Sequence, residues 1–159
     1  MGSMQYWLMK SEPSEFSIND LRRKKRSLWD GIRNYQVRNM LRDEMEVGDQ
    51  AFFYHSNAGE ETGIVGVMKI AKKAYPDPTQ FDQNSRYFDP KSTPNQPRWL
   101  GVDVQFAEKL PCLISLAELK KEEKLSTLPL VKKGNRLSVM KLTKHEFAFI
   151  LNMAKDKSI

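Results

Sequence analysis

A single cysteine, Cys112, and two histidines, His55 and His145, are all the thiol and imidazole groups in these 159 residues. One cysteine excludes an intrachain disulfide and leaves no zinc set, which needs several such ligands at close spacing. Long apolar runs are also missing: no window approaches the ~18 residues of a membrane span. Lys10-Ser11-Glu12 interrupts the first apolar stretch, so no secretory leader is expected. These absences lead us to expect an intracellular, cytoplasmic setting, with no membrane partner, metal or cofactor. Gly59, Gly63 and Gly66 lack the spacing of a phosphate-cradling fingerprint. There is no repeat and no low-complexity tract. Met1-Gly2-Ser3 ahead of Met4 reads as a cloning remnant, so one domain is expected over residues 4–159, with the monomer favoured.

Charge is present in excess of one sign. Lysine and arginine number 26 against 20 aspartates and glutamates, a formal +6. The cations gather in Arg22-Arg23-Lys24-Lys25-Arg26 and again from Lys120 to Lys157. Such an excess suits a polyanionic partner, because each neutralised phosphate releases counterions. The five-residue run equally fits a helix end whose cations face the negative pole of the helix.

Hydrophobic periodicity predicts strands at Gln5 to Met9, Ala51 to His55 and Gly63 to Ile70, and a half-buried strand at Trp99 to Phe106. The near-continuous apolar run Gly63–Ile70 implies burial on both faces, with its glycines marking close approach or bending. A helix is predicted after Ser17 as N-cap, and another over Tyr35 to Asp43 with Val37, Met40 and Leu41 inward. Capping boxes at Ser115–Glu118 and Thr143–Glu146 start two more. Between them, residues 75–97 carry five prolines, Pro76, Pro78, Pro90, Pro94 and Pro97, and we expect an ordered flap pinned by Phe81, Tyr87 and Phe88. Strands and helices without a βαβ rhythm indicate α+β, with a strongly bent or barrel-like mixed sheet and helices outside.

Two segments carry candidate chemistry. In Leu28-Trp29-Asp30-Gly31-Ile32-Arg33-Asn34-Tyr35 a tryptophan sits among turn formers and polar groups. In Trp7-Leu8-Met9-Lys10-Ser11-Glu12-Pro13 an apolar strand stops abruptly at hydrogen-bonding residues. A flat heterocycle needs such an aromatic face beside convergent donors and acceptors, although a loop tryptophan also serves simply to close a core edge. For a nucleobase, Tyr6, Trp7, Trp29, Tyr35, Tyr54, Tyr87, Phe88 and Trp99 are candidate faces, with Trp29 stacking on the base and Tyr54 or Trp99 closing the other side. Ser11, Lys10, Glu12, Asn34, His55 and Ser56 would read the base edge. Arg33, Arg38, Arg136 and the run Arg22, Arg23, Lys24, Lys25 and Arg26 would hold phosphates. An enzyme is the rival reading, through His55 and Ser56. Adjacent strand residues point to opposite faces, which argues against a direct Ser–His pair. A small-metabolite or protein-interaction module is the third.

The ordered segments Tyr6–Pro13, Trp29–Asn39, Gly48-Asp49, Phe53–Ser56, Gly63–Gly66, Tyr75–Asp77, Pro97–Trp99 with Val102–Val104, and Asn135–Val139 resemble the EVE-domain family of the PUA-like superfamily. Ile32 and Val37 stand where that pattern has valine and alanine. More distantly the chain is similar to YTH domains. The resemblance implies a PUA-like fold, a bent β-sheet or barrel with flanking helices. It also implies a non-catalytic module that takes an extruded methylated or hydroxymethylated cytosine, or a methylated adenine, of DNA or RNA into an aromatic cage. On that reading Trp29→Ala should abolish discrimination between modified and plain bases and leave the secondary structure intact.

Overall fold

In the computed structural model, which describes residues 4–157, six strands form one mixed sheet with helices on both faces. The remnant expected at residues 1–3 lies outside the described residues. The strands are β1 (Tyr6–Ser11), β2 (Arg26–Trp29), β3 (Gln50–His55), β4 (Gly63–Pro76), β5 (Leu100–Ser115) and β6 (Val139–Leu142). Helices are α1 (Ile18–Lys24), α2 (Tyr35–Asp43), α3 (Leu116–Lys120) and α4 (Lys144–Lys157). The spatial order is β2-β5-β4-β3-β1-β6, antiparallel throughout except for the parallel pair β1–β3. Strands β2 and β6 remain as open edges, so the α+β expectation holds, but the sheet does not close into a barrel.

Strand parity explains the apolar runs. Trp7, Met9, Ala51 and Phe53 enter one core, with Ile18 and Leu21 of α1 and Val37 and Leu41 of α2. Leu8, Phe52 and Tyr54 enter a second core on the opposite face, with Phe147 and Ile150 of α4. A sheet covered on both sides has no need of polar alternation. Local signals also hold. Ser17 accepts from the Asp20 N–H at 3.1 Å while the Ser17 N–H donates to Asp20. The boxes at Ser115–Glu118 and Thr143–Glu146 form likewise. At Gly66 a side chain would lie 2.4 Å from Ile18 Cδ1, so α1 rests directly on the sheet there.

Two strands outrun their periodicity. β4 continues to Pro76 and β5 to Ser115, with register shifts between Ile64 and Gly66 and at three further places. Bulges of this kind bend a sheet and hide its period from a linear reading. Pro111 falls in the stretch between Lys109 and Ile114, where the ladder is irregular and no donor is missed.

The flap is ordered, and polar groups hold it. Buried Gln80 donates to the carbonyls of Asp77 (2.7 Å) and Trp99 (2.8 Å), and accepts from the N–H groups of Arg98 and Trp99. One amide thus staples the two ends of residues 77–99 together. Phe81, Tyr87 and Phe88, expected as its pins, are only half-buried.

Candidate functional site

A cleft of about 600 Å³ opens where the end of β1, the β2–α2 loop, the flap and the segment before β6 converge. That volume falls in the range of roughly 300–1,000 Å³ typical of small-ligand sites. Aromatic lining comes from Trp29, Phe16 and Tyr87, and cationic lining from Lys10, Lys24, Arg86 and Arg136. Ser11, Glu12, Ser56, Asp30 and the stretch Arg136–Ser138 add polar groups.

Of the residues singled out in the sequence, Trp29, Tyr87, Ser11, Lys10, Glu12, Ser56, Lys24 and Arg136 are therefore brought together. Trp29 is the last residue of β2, paired with Val102, and not part of a loop. Only 6% of it is exposed. Its ring meets Phe53 (5.2 Å) and Phe16 (6.3 Å) edge-on. It is at once a core residue and a wall of the cleft. The Ser11 hydroxyl donates to the Phe16 carbonyl at 2.7 Å, which leaves its lone pairs as acceptors. Lys10 has its ammonium 5.7 Å from the Tyr54 ring centre, and burial lowers its pKa.

The others lie apart from the cleft lining, each for a visible reason. Tyr54 faces the second core by strand parity, where burial pushes its hydroxyl up to about 12. It cannot sandwich a base against Trp29. Tyr35 and Trp99 stack on each other at 4.7 Å, with the Trp99 indole N–H donated to Asp89. Asn34 caps α2, accepting from the Val37 N–H. His55 accepts the Ile18 N–H at its Nε2 (3.1 Å), serving the start of α1, and burial lowers its pKa. Arg38 donates to the Arg98 carbonyl and to Asn39. Within the basic run, Arg23 pairs with Asp20 and Arg26 with Asp103, while Arg22 and Lys25 are exposed away from the lining.

Arg33 is the clearest correction. A guanidinium has five N–H groups, and all five are used inside the protein. Nε and Nη2 donate to the Tyr87 carbonyl, Nη2 also to Thr79, and Nη1 to the Ile32 carbonyl and to Asp77. It has nothing left for a phosphate. It clasps the flap to the β2–α2 loop, and Asp77 completes the clasp. Asp77 is fully buried and accepts from Gly31 N–H, Arg33, and both the N–H and hydroxyl of Thr79. Burial pushes this carboxyl up, but the hydrogen bonds from Thr79, Gly31 and Arg33 outweigh it and hold the pKa below the ordinary value.

The clasp positions Tyr87, which the sequence reading offered both as a flap pin and as one of several candidate aromatic faces, in the cleft lining. Gly31 has φ +81°, and a Cβ there would stand 2.6 Å from Tyr87 Cζ, so the ring lies directly over the glycine. Gly31→Ala should cost about 1–2 kcal/mol from the left-handed backbone alone, more once Tyr87 is displaced. A urea midpoint unchanged from wild type would contradict this packing. Arg86, beside Tyr87, forms an ion pair with Glu15, and the Tyr87 hydroxyl donates to the same carboxylate at 3.1 Å. Glu15, Phe16, Ser27, Arg86, Leu137 and Ser138 join the cleft without having been named for it, and Leu28, Asp30, Gly31 and Ile32 enter with the segment singled out around Trp29. For all of these but Arg86, the linear hint was nearness to Trp29, Ser11 or Arg136. Among the described residues no cluster suited to a metal ion occurs, and no helix is long and apolar enough to cross a membrane.

Comparison with known proteins agrees with this architecture. Human thymocyte nuclear protein 1 is 46% identical over 170 residues, covering 96% of this chain and 75% of that protein. A crystal structure from Pseudomonas syringae matches with a TM-score of 0.90 at 50% identity, over 94% of this chain and 99% of its own. The crystal structure of the human protein in complex with DNA containing 5-methylcytosine matches at 0.85 and 46% identity, over 95% and 98%. The family model described as the EVE domain matches residues 5–153, and the chain belongs to the EVE-domain family.

Proposed function

We propose that this protein is a binding module for DNA carrying a modified cytosine, and that the extruded base enters the cleft beside Trp29. The observation that carries the reading is the cleft itself, an aromatic lining of Trp29, Phe16 and Tyr87 edged by Lys24, Arg86 and Arg136. Support comes from the human relative, whose structure was obtained with 5-methylcytosine DNA. Trp29 and Tyr87 are the aromatic contacts, in place of the Tyr54 or Trp99 partner suggested by sequence. Ser11 offers acceptor lone pairs to the base edge, and Lys24 and Arg136 face the backbone.

Magnitudes bound the affinity. Aromatic stacking contributes roughly 1–3 kcal/mol per base, while extruding a base from a duplex costs a few kcal/mol. Binding to single strands or mismatched pairs should therefore exceed binding to intact duplex. One buried methyl adds about 0.8 kcal/mol, or roughly fourfold in preference.

The test is fluorescence anisotropy with short strands holding one cytosine or 5-methylcytosine. A methyl preference of this size is expected, together with a salt dependence whose slope falls by about 1 for each of Lys24→Gln and Arg136→Gln. Equal affinity for both strands, or a slope indifferent to these changes, would refute the reading. RNA strands of matching sequence decide which backbone is preferred.

A further inference from the structure

Guanidinium groups and aromatic rings alternate in one stack that runs from the cleft out to the start of α2. The Arg86 guanidinium lies 5.1 Å from the Tyr87 ring centre, and Arg33 lies 5.4 Å from Tyr87 and 5.6 Å from Trp99. Trp99 stacks on Tyr35 at 4.7 Å, and Arg38 stands 4.7 Å over Tyr35. The middle of the stack is spent, since Trp99 is buried and every N–H of Arg33 is bonded. Its outer end is not. Tyr35 is 49% exposed. Three N–H groups of Arg38 go to Asn39 and the Arg98 carbonyl, which leaves two of its five. Arg98 itself has a guanidinium with no hydrogen bond or ion pair among the described residues. The carboxylates that act on these two arginines, Asp43 and Asp89, are engaged by Arg42 and by the Trp99 indole N–H.

We propose that Tyr35, Arg38 and Arg98 form a second nucleotide subsite outside the cleft, where a base further along the bound strand packs on Tyr35 and the two guanidinium groups take the phosphate beside it. This inference rests on the reading of the cleft as a base site and extends it along the strand. Single strands are held where aromatic side chains recur beside cations that track the backbone, and guanidinium planes accept base stacking as well. The two ends of the stack each present that pair: Tyr87 with Arg86 in the cleft, and Tyr35 with Arg38 at the start of α2. Arg33 and Trp99, both fixed by hydrogen bonds, set the spacing between the ends. A strand therefore meets a surface already in place, which lowers the ordering cost of binding. Every base offers a stacking face, so the outer subsite adds affinity without reading sequence, and the methyl preference belongs to the cleft alone.

Ligand length separates the two sites. The probes are the mononucleotide of 5-methylcytosine, followed by intrinsic tryptophan fluorescence, and a dodecanucleotide with one central 5-methylcytosine or cytosine, followed by anisotropy. Tyr35→Ala should lower affinity for the dodecanucleotide about tenfold, within the range for loss of one stacked base. Its mononucleotide affinity, its methyl preference and its circular dichroism should match wild type. Arg98→Gln should reduce the salt slope for the dodecanucleotide by about 0.7, the share of one phosphate of a single strand. A dodecanucleotide affinity indifferent to Tyr35→Ala, or a slope indifferent to Arg98→Gln, overturns the subsite, assigns the patch to some other occupant and leaves the cleft reading standing. An equal loss for both ligands shows Tyr35 acting on the cleft through the stack, and overturns the subsite too. A wild type that binds the methylated and plain strands alike overturns the base-site reading itself.

Discussion

Trp29→Ala is expected to destabilise the protein by about 3–5 kcal/mol, the usual cost of truncating a buried tryptophan. The ring is 6% exposed and supports both Phe16 and Phe53, so its loss opens a void under the cleft and in the first core. Against a total stability of roughly 5–15 kcal/mol, the urea midpoint should fall by a third or more. A variant as stable as wild type would show that the indole is not structural. This reverses the expectation that Trp29→Ala leaves the secondary structure untouched while removing base discrimination. Loss of binding in that variant cannot by itself report on the cleft, and Tyr87→Ala, half-buried on the flap, is the better probe of base contact.

Asp77→Asn should be nearly as damaging, at about 3–5 kcal/mol, the cost of removing one partner from a buried ion pair. The amide places donors against donors: Gly31 N–H, Arg33 and Thr79 all point at the carboxylate oxygens. The flap and the β2–α2 loop would separate, and with them the two sides of the cleft. The pKa of Asp77 is lowered in the folded protein. Its contribution is therefore complete above the unfolded value of about 3.9, and is lost as pH falls below that and through the lower folded value. Urea midpoints between pH 6 and pH 3 should drop for wild type and much less for Asp77→Asn. Parallel pH profiles for the two proteins would contradict the assignment of this charge to stability.

The two variants separate what the cleft is made of. One side is core: β1, β2 and α1 exist to bury apolar surface, and Trp29 reaches the cleft only because β2 is an edge strand. The other side is the flap, held by Gln80, Asp77 and Arg33 through hydrogen bonds and not by apolar burial. Truncation of Trp29 should act on the whole fold, whereas changes in the clasp act first on the flap.

By itself the sequence determined four of the six strands, the helix starts and the α+β class, while β2 and β6, each four residues long, carried no periodicity to read. The helix starts at Ser17, Ser115 and Thr143, the bounds of α2 and the two-sided burial of β4 depend on residues within a few positions of one another. Capping and periodicity act at that range. Only the tertiary structure decided which aromatic rings share the cleft. Strand parity sends Tyr54 to the far face while Trp29 stays on the near one, and Tyr35 and Trp99 use each other as partners. Likewise, Arg33 reads as a free cation in the sequence and becomes fully bonded only when the flap folds back over the β2–α2 loop. Hydrogen-bond saturation joins groups far apart along the chain, and no local pattern encodes it.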